Sequence, residues 1–173
     1  MNKDQKKELK SKIIEGLQSL NIKTFSDSIN HLKNEGKTED IVFLLDLLLV
    51  QKTDERKNLI LKFLADVKDK RAGKIFMDAI SNEKYTSIKK NILSICWESS
   101  IDFSEFISTF IDCMIQSDFE TSFEAFTVIE NLTEPISEEI KQLQQEKLKD
   151  AIAISSEDKK RILHEVIHLL DQH

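Results

Sequence analysis

Only three glycines and one proline occur in the 173 residues of this chain, where average usage would give about twelve and nine. Sheets need such residues at their tight turns, whereas packed helices joined by short polar loops do not. The shortage predicts an all-α protein. Cysteine is scarce as well. Cys96 and Cys113 have no C-x-x-C spacing and sit among apolar neighbours, so both are expected as reduced core residues. No long hydrophobic run is present. The longest, Ile41 to Val50, is interrupted by Asp46 and is half of the roughly twenty residues that a bilayer requires. It is expected to be a helix buried on nearly all sides. The opening MNKDQKKELKSK has neither an apolar core nor a small-residue cleavage site, which argues against a secretory signal. The NLT at Asn131 is then chance, and the cytoplasm is the expected location.

What is present is helical periodicity. Charged residues make up 32% and hydrophobic residues 40% of the chain, a balance that folds, and the length suits one well-buried domain. Amphipathic stretches predict helices over 2–20, 24–35, 38–51, 54–67, 70–82, 84–99, 103–116, 119–132, 137–154 and 157–171. Asp102 with Glu105 three residues on has the form of a capping box. Thr38 leads into Glu39 and Asp40, whose charges suit a helix N-terminus. Pro135 can end one helix and leave Ser137 to cap the next. Taken in pairs, the later helices start at 38, 70, 103 and 137, a step of 32 to 34 residues, which is what stacked helical hairpins produce.

The segment DKRAGKIFMDAISNEKYTSIKKNILSICWES, Asp69 to Ser99, resembles a HEAT-type repeat. Ala72, Ile75, Ala79 and Ile80 fall on its first helix, and Ile88-Lys89 opens the second where many such repeats place Val-Arg. The resemblance implies an all-α, right-handed α-α superhelix, a HEAT/armadillo-like solenoid of about five helical hairpins. It would form one helical-repeat domain over 1–173, with 1–37 as a degenerate capping pair and 38–171 as four hairpins. Armadillo repeats, another right-handed solenoid and an irregular bundle stay open as alternatives.

Near the C-terminus, HEVIH (His164 to His168) matches the H-E-x-x-H zinc motif. On a helical wheel, Ile162, Leu163, Val166, Ile167, Leu169 and Leu170 share one side, while His164, His168 and Asp171 lie opposite. Such histidines point to water rather than into a cleft. No third ligand follows at a suitable distance, and no strand is predicted to hold a peptide. Gly-rich phosphate loops and G-x-S-x-G are missing too. No enzyme activity, cofactor or metal is expected.

Charge of one sign is missing from a long stretch. Between Asn91 and Ile140 there is no Lys, Arg or His, yet there are eleven acids: Glu98, Asp102, Glu105, Asp112, Asp118, Glu120, Glu124, Glu130, Glu134, Glu138 and Glu139. All 25 Lys and Arg lie elsewhere, against the other 20 acids. The same stretch holds seven of the twelve aromatic residues: Trp97, Phe103, Phe106, Phe110, Phe119, Phe123 and Phe126. The phenylalanines are expected in the core. Trp97, at the edge of its apolar arc near Lys90 and Ser94, is the aromatic expected to be partly exposed, and Trp is a common interface anchor. Helix faces usually mix Lys with Glu, so sustained like charge suggests a partner of opposite sign.

In HEAT-like solenoids the second helix of each pair lines the concave face, and that resemblance selects Glu98, Glu120 and Glu124. The expected function is a non-catalytic protein-protein interaction scaffold. It would hold a basic peptide or protein through Trp97, Glu98, Glu120 and Glu124, with no membrane partner. Self-association, such as a dimer through the apolar third helix, is the first alternative. The second is a HEAT-fold nucleic-acid enzyme, which a net charge of −6 opposes.

Overall fold

The computed structural model describes residues 3–35, 38 and 40–172. Ten α-helices follow one another: α1 Lys3–Gln18, α2 Ile22–Glu35, α3 Asp40–Val50, α4 Asp54–Ala65, α5 Arg71–Ile80, α6 Lys89–Glu98, α7 Ile107–Gln116, α8 Phe119–Glu130, α9 Glu138–Ile154 and α10 Glu157–Gln172. No strand occurs among the described residues. The all-helical class expected from the shortage of Gly and Pro is therefore correct. No described helix is long and apolar enough to cross a membrane.

Side-chain caps start several of these helices. The Asp118 carboxylate accepts from the Thr121 N–H at 2.8 Å, and the Ser137 hydroxyl accepts from the Ile140 N–H at 3.4 Å. Asn21 accepts from the N–H groups of Lys23 and Thr24. Each bond satisfies an amide that the first helical turn leaves free. Two expected helices instead open as 3-10 turns, Glu83–Ile88 and Ser104–Phe106. At the second, Asp102 accepts from the Ser104 N–H at 2.8 Å. That i+2 bond favours a tight turn, so the expected capping box does not form. Of the acidic pair after Thr38, Asp40 is the first residue of α3, and Glu39 lies outside the described residues.

The chain forms two compact units, one up to Val67 and one from Lys68 onward. In the first, α1 packs on α2, α2 on α4 and α3 on α4. Phe25, Leu44, Leu45, Ile60 and Leu64 are fully buried. The Arg56 guanidinium lies over the Phe25 ring, 4.8 Å from its centroid, and donates to the Ser19 carbonyl. Gly16 permits close approach of α1 to α2, because a Cβ there would stand 1.9 Å from the Ser28 hydroxyl oxygen. Helix α3 buries Ile41, Leu44, Leu45 and Leu48 but exposes Val42 and Val50. Burial on nearly all sides was the wrong expectation for it. With four packed positions in eleven residues, one face suffices.

In the second unit α5 pairs with α6, α7 with α8 and α9 with α10, while α6 meets α8, α8 meets α10 and α7 meets α9. The core contains Phe76, Ile92, Phe103, Phe110, Met114, Leu148 and Val166. Burial of each such side chain contributes about 1.5–3 kcal/mol. Polar ties join neighbouring hairpins. Asp102 accepts from the Thr133 N–H at 3.0 Å and from the Thr133 hydroxyl at 2.7 Å. Gln144 donates to Ser108 at 2.9 Å. The Lys159 ammonium donates to the carbonyls of Ile115 and Ser117 at 2.8 and 2.6 Å, capping the end of α7. Cys96 and Cys113 are free and buried, as expected, and burial pushes both thiols up.

Candidate interaction site

The residues singled out from the acidic stretch lie on the second helices of adjacent hairpins. Trp97 and Glu98 end α6, and Glu120 and Glu124 lie on the first turns of α8. Packing of α6 on α8 brings three of the four together. The Trp97 indole N–H donates to the Glu124 carboxylate at 3.0 Å, and the Trp97 side chain is 39% exposed. Beside it, the Lys90 ammonium donates to Glu120 at 2.7 Å. That contact, strengthened by the charges of Glu124 and Asp118, raises the Lys90 pKa. Glu98 is exposed and has no ion pair among the described residues.

The acidic stretch is less bare than its sequence suggests. Lysines from outside it fold back onto it, Lys90 on Glu120 and Lys147 on Asp112, and Lys141 pairs with Glu138 one turn away within α9. Two further acids have structural partners. Asp118 caps α8, and the Thr121 N–H holds its carboxyl below the usual range. At Asp102, partial burial pushes the carboxyl up, but the donors on Ser104 and Thr133 outweigh it and bring the value down to about 2. The expectation of repulsion without compensation is corrected to that extent. Exposed glutamates without such a tie include Glu98, Glu105 and Glu130.

The aromatic residues divide. Phe103 and Phe110 are buried and Phe106 and Phe126 are half-buried, but Phe119 and Phe123 are 45% and 49% exposed. Sequence reasoning placed those two in the core and reserved exposure for Trp97. The missed signal is angular. The apolar residues of α8 form two arcs, one of Ala125, Val128 and Ile129, which is buried, and one of Phe119, Phe123 and Phe126. One arc packs the core, and the other leaves Phe119 and Phe123 exposed.

On α10, Leu163, Val166 and Leu170 are buried while His164 and His168 are exposed, as the wheel predicts. The Asp171 carboxylate accepts from the Gln145 amide at 2.6 Å. No group of three His, Cys, Asp or Glu side chains among the described residues is arranged to hold a metal ion. No known family model matches this chain, and no curated protein or solved structure matches it either.

Proposed function

We propose that the chain is a non-catalytic protein-interaction scaffold whose second unit is a right-handed solenoid of helical hairpins. Its acidic α6–α8 surface holds a basic peptide or protein through Trp97, Glu98, Glu120 and Glu124. The solenoid reading draws support from ties between positions about one repeat apart, such as Asp102 to Thr133 and Glu134 to Ser104, separated by 31 and 30 residues. It draws further support from the packing of second helix on second helix, α6 on α8 and α8 on α10.

One observation carries the binding proposal. Helices α6 and α8 both end on an exposed glutamate, Glu98 and Glu130, and neither has a basic residue in its last turn. A negative charge at a helix C-terminus opposes the macrodipole, at a cost of a few tenths of a kcal/mol or more. Repeating that arrangement on successive second helices loses stability and gains a directed negative potential. A cationic partner reverses the sign of that effect.

The test compares capture from cell extract by the wild type and by Glu98→Gln/Glu120→Gln/Glu124→Gln. Exposed ion pairs contribute little to folding, so the variant should melt near the wild type. Capture should weaken in the variant, and in the wild type it should weaken with added salt, because exposed charges are screened beyond about 8–10 Å. Recovery of the same proteins by both, at both salt concentrations, would show a merely solvated acidic face.

A further inference from the structure

The acidic surface does not by itself explain the aromatic flank of α8. At about 100° per residue, Phe119, Phe123 and Phe126 share one flank of α8, beside the buried arc of Ser122, Ala125, Val128 and Ile129, with the half-buried Phe126 nearest to that arc. Their rings touch in sequence, with centroids 6.3 Å apart for Phe119–Phe123 and 6.1 Å for Phe123–Phe126. The ridge runs about 10 Å along the helix at a rise of roughly 1.5 Å per residue. Glu130 continues its line at the C-terminal end, and Glu120 and Glu124 run along one side. On so charged a flank, Phe119 and Phe123 leave nearly half of their surface in water.

Resting on the acidic-surface reading above, we infer that the segment bound there is a basic amphipathic α-helix. Its apolar side chains lie along Phe119, Phe123 and Phe126, and its Lys or Arg residues meet Glu120, Glu124 and Glu130. Three knobs spaced a turn apart accept a partner with apolar residues at i, i+3 or i+4, and i+7, the spacing of one helix face. An extended peptide recognised by strand addition needs a sheet edge, and no strand occurs among the described residues. A second copy meeting α8 with its own α8 would set glutamates against glutamates in a stretch, 91–140, that holds no base. Like charges across an interface oppose such a pairing. Lys90 on Glu120 and the Trp97 indole on Glu124 hold those carboxylates beside the ridge, and each carboxylate keeps an oxygen for an incoming cation.

The full chain is titrated with a synthetic peptide of Leu and Lys in helical spacing. Two controls accompany it: a scrambled peptide of the same composition, and one in which Glu replaces Lys. Trp97, the single tryptophan, reports binding by fluorescence, and calorimetry confirms it. The amphipathic basic peptide should bind about tenfold more tightly than the scrambled one, and the Glu peptide should not bind. Phe119→Ala/Phe123→Ala should weaken the amphipathic peptide by about tenfold or more, as truncation of central aromatic contacts does. It should leave the helix content and the weak, salt-sensitive binding of the scrambled peptide unchanged. Equal binding of both basic peptides, with the double alanine variant silent, overturns the helical partner and leaves the acidic-surface reading standing. Tight amphipathic binding that is indifferent to Glu120→Gln/Glu124→Gln overturns both, as does failure of every basic peptide to bind. A wild-type dimer that the double alanine variant dissociates would assign the ridge to contact between copies and overturn the inference.

Discussion

Replacing Asp102 by Asn keeps the shape of the side chain and removes what makes it a staple. In the wild type one carboxylate oxygen accepts from the Ser104 N–H, and the other accepts from both donors of Thr133, 31 residues further on. Asn retains the bond to Ser104 but turns an NH2 group toward Thr133. The charge-assisted bond from the Thr133 N–H is then lost, a donor faces a donor, and the Thr133 hydroxyl must turn round to accept. Such a bond contributes about 1.5–3 kcal/mol when its acceptor is charged. A second route gives a similar size. The carboxyl titrates at about 2 rather than at 3.8, and a separation of that size at about 1.36 kcal/mol per pH unit sets a ceiling of roughly 2 kcal/mol. Water reaches much of this side chain, so screening leaves about 1 kcal/mol. The expected loss for Asp102→Asn is therefore about 1–2 kcal/mol, read by urea unfolding near neutral pH. The pH dependence has a definite sign. A carboxyl whose folded value is depressed stabilises the fold above pH 3.8 and loses that contribution as pH falls through about 2. The gap between wild type and variant should be full near neutral pH and should close across that window. A gap that is absent at neutral pH, or that persists undiminished at pH 2, refutes the staple.

Other substitutions probe the packing. Val166→Asp, at a fully buried position of α10, should cost about 2–5 kcal/mol, whereas His164→Ala on the exposed side should stay within about 0.5 kcal/mol; chemical denaturation of the pair checks both. Phe110→Ala should cost about 3–5 kcal/mol because the ring is fully buried against Phe103. Phe126→Ala should cost less, since its ring is only half-buried, and equal melting temperatures for the two variants would contradict the assigned core. Gly16→Ala should destabilise by about 1–3 kcal/mol despite alanine's better helix propensity, because the new Cβ meets the Ser28 hydroxyl. Adding Ser28→Ala should recover part of that loss, and the absence of recovery in thermal melts would place the strain elsewhere.

Much of the fold was legible because helical period survives in local sequence. Eight of the ten expected helices, from 2–20 to 157–171, start within about two residues of an observed one. The exceptions are 84–99 and 103–116, whose first residues form the 3-10 turns before Lys89 and Ile107. Such turns follow from Asn82 and Asp102 bonding to an amide two residues on, a choice between competing side-chain bonds that periodicity does not encode. The exposure of Trp97, His164 and His168 was readable from the wheel. That of Phe119 and Phe123 was not, because the usual preference of aromatics for the interior pointed the other way. The charge pattern misled mainly for a tertiary reason, because Lys90 and Lys147 reach Glu120 and Asp112 from 30 and 35 residues away, whereas Lys141 meets Glu138 within α9. Lys90, Lys141 and Lys147 lie outside the bare stretch in sequence and beside its acids in space. The juxtaposition of Trp97 with Glu124, 27 residues apart, likewise depends on how α6 meets α8.

The most direct test of an acidic recognition surface is a titration of the full chain with a Lys-rich peptide at low and at near-physiological salt, followed by Trp97 fluorescence. The wild type should bind and should lose affinity as salt rises. Glu98→Gln/Glu120→Gln/Glu124→Gln should bind several-fold more weakly, with a shallower salt dependence and an unchanged melting temperature. Identical affinities for the two proteins at both salt concentrations would contradict recognition through these glutamates.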